Sequence, residues 1–290
     1  MNINKWIARN CTSLKGKTVA ITGSTGGLGN ELCKYLAALG ANLVLVDRNR
    51  EKSEKFAATL KEKFSTRVTL VTADLEDKYS VTVATELIKK EKPDIFIHNA
   101  GAYSIPRHKT KQGIDNVFAI NFASPYYMIK ELIPTLRETK GRVVAVGSIA
   151  HNYSKSNPDD IDFSCQKAAS KVYGNAKRYL MCALWELFKD EKDVKLSIVH
   201  PGITPTGITA HYPAWLYAII KYPMKFIFMP PRAAALSILK GVFAETGYME
   251  WIGPWLFDVW GRPSTKKLNT VPPKESEQIF ISAEGLLQGK

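Results

Sequence analysis

Cysteine is scarce in this sequence, and the few residues that occur are scattered. Cys11, Cys33, Cys165 and Cys182 form no C-x-x-C pair, so neither a zinc site nor a disulfide framework is indicated. We therefore predict no bound metal. The first 16 residues also lack an apolar core of the length that a secretory signal peptide needs. Together these absences favour a reducing, cytoplasmic location.

A long uninterrupted apolar run is missing as well. The most apolar stretch, residues 211–231, is broken by Lys221, Pro223 and Lys225, whereas a transmembrane helix needs about 20 apolar residues. Three interpretations stay open for residues 207–230. They are a hydrophobic lid over a binding pocket, a segment at a lipid surface with its lysines toward anionic headgroups, and core or subunit contact. We take the lid as the main interpretation and peripheral membrane contact as the alternative.

Basic residues are in excess, with 40 Lys and Arg against 27 Asp and Glu and a net charge of +13. Most of these charges lie on amphipathic helices. In residues 51–64, for example, Phe56, Leu60 and Phe64 form an apolar stripe and the charges occupy the other faces. This pattern indicates a solvated surface, so we predict no nucleic-acid partner. The chain length of 290 residues, with 45% hydrophobic residues, suits a single domain over residues 1–290.

A glycine-rich turn follows the first apolar strand, in residues 17–29 with the sequence KTVAITGSTGGLG. Apolar residues then recur at helical spacing, which predicts a strand, a turn and a helix in succession. Backbone N–H groups at such a helix N-terminus bind phosphate, because no side chain blocks their approach. We assign Gly23, Gly27 and Gly29 to pyrophosphate contact, with Ser24 and Leu28 in the same turn.

The glycine spacing differs from the dinucleotide fingerprint G-x-G-x-x-G, and taken alone it also fits an ordinary strand-to-helix turn. The second strand, residues 42–46, decides between the two. It leads to Asp47, which lies 20 residues after Gly27, the offset at which an acidic residue meets the ribose hydroxyls of a dinucleotide. Arg48, a basic residue, follows at once. Asp47 favours NAD slightly over NADP, and the choice stays open.

Further apolar strands are predicted at residues 68–71, 95–97, 143–146 and 196–199, with helices around 83–90, 112–137 and 166–189 between them. We expect Pro125 and Pro134 to interrupt or bound the second of these helices. This alternation predicts an α/β fold, a Rossmann-like doubly wound parallel sheet in three α/β/α layers. The carboxyl ends of its strands then share one edge, where ligands bind. The residues placed at that edge are Asp47, Asp74, Asn99, Ser148 and Pro201.

The C-terminal part carries weaker signals. We predict one more helix at residues 232–241, a last edge strand at 248–254, and a loosely held C-terminal tail at 264–290 with a short helix near 279–287. An aromatic cluster is interpreted as core or dimer surface rather than as a ligand cage. Its members are Trp251, Trp255, Phe257 and Trp260.

Tyr173 and Lys177 lie four residues apart and so share one face of the predicted helix. A nearby cation favours the phenolate form, so we expect Lys177 to lower the pKa of Tyr173 toward neutrality. Ser148, at a strand end, is placed to hydrogen-bond an oxygen on which charge changes during hydride transfer.

With these motifs in order, the chain resembles the short-chain dehydrogenase/reductase family over residues 14–206. The family's T-G-x-x-x-G-x-G matches residues 22–29, its N-N-A-G matches residues 98–101 with His98 in first place, and its Y-x-x-x-K matches Tyr173 and Lys177. The resemblance implies that Asn121, Ser148, Tyr173 and Lys177 form the catalytic tetrad. It also implies contacts to the cofactor. The residues concerned are Asp74 at the adenine, Asn99 and Gly101 beside the cofactor, Pro201, Gly202 and Thr206 near the nicotinamide, and Tyr173 and Lys177.

The 25-residue spacing between Ser148 and Tyr173 and the sequence HPGITPTGI resemble the retinol dehydrogenase-like and WW-domain oxidoreductase-like subgroup. The resemblance implies an NAD(P)-dependent oxidoreductase that interconverts a small-molecule alcohol and a carbonyl, with a hydrophobic substrate and a homo-oligomeric assembly. Two alternatives are kept, a nucleotide-sensing binding protein on the same fold and a peripheral membrane-associated reductase.

Overall fold

A computed structural model describes residues 2–204 and 228–288 of the chain. Thr206 and nearly all of the predicted lid at 207–230 therefore lie outside the described residues. The described strands form one sheet. They are β1 (Thr18–Thr22), β2 (Asn42–Asp47), β3 (Val68–Thr72), β4 (Ile95–His98), β5 (Arg142–Val146), β6 (Lys195–Val199), β7 (Glu250–Leu256) and β8 (Trp260–Lys267).

Helices cover both faces of this sheet. Within the described residues they are α1 (Ile3–Asn10), α2 (Gly27–Ala38), α3 (Arg50–Phe64), α4 (Lys78–Lys90), α5 (Asn116–Phe118), α6 (Ser124–Glu138), α7 (Ala169–Leu187), α8 (Pro231–Phe243) and α9 (Pro273–Gln288). A π-helical turn (Ala119–Ala123) joins α5 to α6, and a 3₁₀ helix (Ile149–Tyr153) follows β5. Over the described ranges, no helix combines the length and the apolar character that crossing a bilayer requires.

Each face of the sheet has its own apolar core, because successive strand residues point to opposite sides. Ala20 and Val143 belong to the core that α4, α6, α7 and α9 cover, whereas Val19 and Val144 belong to the core beneath α1, α2, α3 and α8. The molecule is thus a three-layer α/β/α domain, as predicted.

The strand order is β3-β2-β1-β4-β5-β6-β7-β8. Neighbours from β3 through β7 pair in parallel, and β7 pairs with β8 antiparallel. The order reverses between β1 and β4, which leaves a crevice at their carboxyl ends where such folds bind ligands. The glycine turn after β1 and the residues after β4 and β5 meet at this crevice.

The C-terminal region differs from the prediction. The strand predicted at 248–254 is not the sheet edge, because β8 pairs along its other side. The segment after Ser264 is not a loose tail, since α9 begins at Pro273 and buries Ser276, Ile279 and Ala283 against the domain. Proline suits a first helical position, where no N–H partner is needed. Because the sequence around Pro273 is polar, the start of this helix was not predicted, although its apolar positions recur at helical spacing.

The prediction that Pro125 and Pro134 interrupt or bound the helical stretch is correct for Pro125, which lies at the start of α6, and wrong for Pro134. Pro125 is the second residue of α6, where a missing N–H costs nothing. Pro134 lies inside α6 on the solvent-exposed side, where water can hydrate the carbonyl that loses its partner. The stretch begins later than residue 112, at Asn116, because the Asp115 carboxylate accepts hydrogen bonds from the first N–H groups and starts the helix.

Candidate active site

The glycine turn forms a cradle of bare backbone at the start of α2. Gly23 has φ +70°, and a side chain there would lie 2.9 Å from the Cα atom of Ala100. Gly26 is the residue before α2, and no side chain caps the helix. The N–H groups of the first turn, which includes Gly27 and Leu28, are therefore open to an anionic ligand.

Gly29 and Ser24 serve the turn itself. A Cβ atom at Gly29 would lie 2.1 Å from the carbonyl oxygen of Gly23, so only glycine allows the helix to pack this closely on the turn. Ser24 is fully buried, and its hydroxyl donates to the carboxylate of Asp47. Ser24 therefore lies beneath the cradle, whereas Gly23, Gly27, Leu28 and Gly29 line the cavity on its open side.

Asn99 fastens the end of β4 to the glycine turn. Its side-chain amide donates to the carbonyl oxygens of Thr22 and Gly23, both at 3.1 Å. The Thr22 hydroxyl accepts from the backbone N–H groups of Asn99 and Ala100 at 3.1 and 3.0 Å. His98 is fully buried with Nδ1 3.2 Å from the same hydroxyl, and burial keeps its pKa well below the ordinary value. These residues hold the crevice in shape.

Asp47 points at the turn, and its carboxylate is already hydrogen-bonded. The Thr25 backbone N–H and hydroxyl both donate to Oδ1 at 3.1 Å, and the hydroxyls of Ser24 and Ser53 donate to Oδ2. Asp47, Arg48, Lys52 and Asp74 line one cavity of about 380 Å³ beside the turn. Among the described residues, the side chains of Arg48 and Lys52 make no ion pair there.

Three side chains of the predicted tetrad line a second cavity of about 470 Å³, together with the glycine turn. Ser148 ends the turn after β5 and caps the 3₁₀ helix, accepting from the N–H of Ala150 at 3.2 Å. Tyr173 lies close enough to Ser148 for the serine to lower its pKa. Lys177 is almost wholly buried, with Nζ 5.8 Å from the centre of the Tyr173 ring. The chain thus brings Ser148, Tyr173 and Lys177 to one cavity wall.

The expected lowering of the Tyr173 pKa by Lys177 is not found. Burial raises the pKa of Tyr173 to about 12, and the hydrogen bond with Ser148 opposes this rise. Burial likewise lowers the pKa of Lys177 to about 7. The Lys177 ammonium donates to the carbonyl oxygen of Val146 at 2.9 Å. Burial in apolar surroundings thus disfavours the charged forms of both Tyr173 and Lys177.

Asn121, the fourth predicted member, lies in the π-helical turn and is fully buried. Its amide donates to the carbonyl oxygens of Ala102 and Val117 at 2.9 and 2.8 Å. A Cβ atom at Gly101 would lie 2.9 Å from Asn121 Oδ1 and 3.6 Å from Lys177 Nζ. A side chain at this position would therefore clash with Asn121, which glycine avoids. A π turn is frequent at functional sites, and no sequence pattern here predicted it.

Pro201 and Gly202 lie on the same cavity wall. Gly202 has φ +85°, and a side chain there would meet the carbonyl oxygen of Val259 at 2.9 Å, so the β7–β8 connection packs directly behind this wall. Several other residues that line this cavity were not predicted from the sequence. Among them are Tyr103, Ile149, Ala150, Tyr153 and Ile203. The one local signal that could have indicated Tyr103 is its position two residues after the HNAG motif.

The two cavities share Gly23, Gly26, Ala100 and Gly101, so they form one continuous groove along the sheet edge. Each volume is in the range of small-molecule sites. A glycine cradle at a helix N-terminus between two cavities fits a dinucleotide, with the pyrophosphate at the cradle and one nucleoside in each cavity. The residues present therefore fit the predicted cofactor class.

Comparison with known proteins identifies the family. The model of the short chain dehydrogenase family matches residues 17–216. Polyprenol dehydrogenase of Homo sapiens is 25% identical over 279 residues, which cover 91% of this chain and 83% of that protein. Retinol dehydrogenase 12 of Mus musculus is 30% identical over 208 residues, which cover 69% of this chain and 66% of that protein.

Solved structures agree with the fold. A protein from Mycobacterium paratuberculosis superimposes with a TM-score of 0.76 at 22% identity, covering 97% of both chains. A short-chain dehydrogenase from Sphingobium yanoikuyae, solved with NADPH, gives a TM-score of 0.54 at 25% identity and covers 66% of this chain and 73% of that one. The prediction of the family and its retinol dehydrogenase-like subgroup is confirmed. The chain belongs to the short-chain dehydrogenase family and is an NAD(P)-dependent oxidoreductase.

Proposed function

We propose that this protein interconverts a hydrophobic alcohol and its carbonyl compound, with Tyr173 as the general acid and base. The observation that carries the proposal is the convergence of Ser148, Tyr173 and Lys177 on a cavity that the glycine cradle also lines. A hydroxyl pair beside a dinucleotide groove is suited to an oxygen whose charge changes as hydride moves. The nicotinamide, when bound, supplies or accepts that hydride.

In the reduction direction, the hydroxyls of Ser148 and Tyr173 donate hydrogen bonds to the carbonyl oxygen. Tyr173 then transfers its proton to this oxygen as the carbon becomes reduced. A phenol with a raised pKa is fully protonated at neutral pH, so the acid form needed for reduction is the resting form. Lys177, with a pKa of about 7, exchanges protons at neutral pH and serves as the internal reservoir beside the ring. Asn121 holds the π turn that closes this side of the site.

A hydrophobic substrate is supported by the side chains beside the hydroxyl pair. Tyr103, Ile149, Tyr153 and Ile203 line the cavity there, and apolar lining with a few convergent polar groups is typical of sites for hydrophobic ligands. The names of two similar proteins, polyprenol dehydrogenase and retinol dehydrogenase 12, support a long-chain alcohol or aldehyde.

We test the activity by following NADPH oxidation with octanal and NADP reduction with 1-octanol, using the purified full chain. We expect saturable turnover in both directions, together with saturable NADPH binding. A protein that binds NADPH and turns over neither compound, nor shorter and aromatic analogues, would contradict the proposal and favour the nucleotide-sensing alternative. Peripheral membrane contact and homo-oligomerisation stay predictions.

We propose that the protein prefers NADP(H) to NAD(H), although the position of Asp47 in the sequence predicted a slight preference for NAD. A ribose-binding aspartate must offer free lone pairs, and both oxygens of Asp47 accept hydrogen bonds from Ser24, Thr25 and Ser53. These donors also screen its negative charge from an approaching phosphate. Arg48 and Lys52 line the same cavity, and arginine binds phosphate bidentately.

The Arg48→Ala variant tests this choice. Since a charged hydrogen bond contributes about 1.5–3 kcal/mol, we expect the Kd for NADPH to rise about 10-fold to 100-fold, while the Kd for NADH changes less than about 2-fold. Fluorescence titration at fixed ionic strength measures both constants. Arg50→Ala is the matched control, because Arg50 is exposed nearby but pairs with Glu54. Equal weakening of NADPH and NADH would instead mean that Arg48 stacks on the adenine.

A further inference from the structure

A buried ion pair joins the C-terminal helix to the helix that carries Tyr173. Arg178 directly follows Lys177 on α7 and is only 3% exposed. Its Nε and Nη2 atoms donate to Oε1 and Oε2 of Glu275, at 2.8 and 2.6 Å. Glu275 lies in the first turn of α9, where the helix dipole favours a carboxylate. The pair is therefore bidentate, geometrically specific and largely shielded from water.

The same two side chains also hold the segment that follows Ser148. Arg178 Nη1 donates to the carbonyl oxygen of His151 at 3.1 Å. Glu275 Oε1 accepts from the backbone N–H and the hydroxyl of Ser156, both at 3.0 Å. A single carboxylate thus bonds to α7 and to the far end of the segment 149–156.

His151 extends this network back to Ser148. The imidazole is fully buried, and burial lowers its pKa, so the ring is neutral at ordinary pH. Nδ1 lies 2.7 Å from the carbonyl oxygen of Ser148, and Nε2 lies 2.7 Å from the Thr270 hydroxyl. Because a carbonyl only accepts, Nδ1 carries the proton and Nε2 accepts from Thr270. Thr270, just before α9, therefore fixes the ring that holds Ser148.

We propose that Glu275 is a positioning residue for the reaction, an inference that rests on the proposed function. Through Arg178 and Ser156 it holds α7 against the segment 149–156, and this fixes the distance between the hydroxyls of Ser148 and Tyr173. The two elements are in backbone contact beside Tyr173, since a Cβ atom at Gly174 would lie 2.3 Å from the carbonyl oxygen of Ala150. Movement of either element would therefore separate the two hydroxyls.

The Glu275→Gln variant keeps the shape of the side chain and removes its charge. Because loss of one partner leaves the Arg178 charge buried and unpaired, we expect amide hydrogen exchange in residues 149–156 to quicken about 10-fold or more. We expect kcat for octanal reduction to fall about 10-fold to 100-fold, as for a small misplacement of reacting groups. The Kd for NADPH should change less than about 2-fold, because the glycine cradle is untouched.

The pH profile gives a readout that general destabilisation would not move. The hydrogen bond with Ser148 lowers the pKa of Tyr173. When Ser148 shifts away, that pKa rises, so oxidation of 1-octanol by Glu275→Gln should need a higher pH than the parent enzyme does. An unchanged profile together with an unchanged kcat would count against the positioning role.

Glu284→Gln is the matched control on the same helix. Glu284 accepts a hydrogen bond from Tyr126 at 2.6 Å and pairs with Lys130. Both partners lie on α6, not on α7 or in the segment 149–156. This variant should lose stability but keep parental exchange in 149–156 and parental kcat. Equal effects in the two Gln variants, or parental exchange and kcat in Glu275→Gln, would overturn the proposal.

Two outcomes separate this proposal from the proposed function. If the parent enzyme turns over no alcohol or carbonyl, the function fails, and hydrogen exchange alone decides whether Glu275 holds the two elements. If Glu275→Gln does not fold, Thr270→Val removes only the hydroxyl bonded to His151. Faster exchange at residues 149–153 with a kcat about 2-fold to 5-fold lower would support the network, and parental values of both would overturn it.

Discussion

The Tyr173→Phe variant is expected to bind NADPH as tightly as the parent enzyme while its kcat falls by about 10²-fold to 10⁴-fold, the contribution typical of general acid–base catalysis. The change removes one hydroxyl and keeps the ring. The ring packs edge-on against Tyr103, with centroids 5.3 Å apart and an interplanar angle of 86°, so the cavity should keep its shape. What is lost is the proton that the carbonyl oxygen receives.

Steady-state kinetics with octanal and a fluorescence titration with NADPH measure the two quantities on the same preparation. Tyr153→Phe is the matched control, since Tyr153 lines the same cavity and is 53% exposed, and it should keep kcat within about 2-fold. If Tyr173→Phe retained parental kcat, Tyr173 would not be the proton donor. If both variants lost activity equally, the effect would lie in substrate contact and not in proton transfer.

The parts of the site that the sequence predicted are those fixed by local rules. The strand and helix around the glycine turn follow from apolar periodicity and from the need for bare backbone at Gly23. Tyr173 and Lys177 share a face because four residues make about one helical turn. The carboxyl ends of parallel strands must share an edge, so Asn99 and Ser148 were predictably neighbours in space.

The parts that the sequence did not predict depend on contacts between distant segments. Nothing near Arg178 in the sequence indicates a partner 97 residues later at Glu275. Nothing near Asp47 indicates that Ser53 turns back to share its carboxylate. Burial could not be predicted from the sequence either, and it explains the wrong expectation for the Tyr173 pKa, because burial raises this pKa more than the hydrogen bond with Ser148 lowers it. Local sequence patterns therefore locate the candidate reacting side chains, whereas tertiary packing sets their partners and their pKa values.

The Lys177→Met variant is expected to stabilise the cofactor-free protein. Burial lowers the pKa of Lys177 from 10.5 to about 7. Between these two values the unfolded chain binds more protons than the folded one, so the contribution of Lys177 to the free energy of unfolding is full above pH 10.5 and is lost as the pH falls through about 7. Methionine of similar length removes this penalty but also the hydrogen bond to Val146.

Thermal unfolding as a function of pH measures the effect. After allowing for the lost hydrogen bond, we expect Lys177→Met to gain about 1–3 kcal/mol near pH 6–7. The gain should shrink as the pH rises and become a small loss near pH 10.5, where only the missing hydrogen bond remains. Lys171→Met on the same helix is the control, because Lys171 is exposed and should change stability little at any pH. A Lys177→Met protein less stable than its parent near neutral pH would mean that the buried amine stabilises the wall by its bonds.

The same Lys177→Met variant should lose about 10²-fold or more in kcat, since it lacks the proton reservoir beside Tyr173. Gain of stability with loss of turnover is expected where a buried ionisable group is retained for chemistry. Gly101 agrees with that interpretation, because a side chain there would clash with Oδ1 of Asn121 and contact Lys177. If the variant kept parental kcat, Lys177 would be a packing residue and the proton route would have to run elsewhere. The stability and the kcat of this variant, measured on one protein preparation, therefore distinguish a lysine that is retained for catalysis from one that is retained for packing.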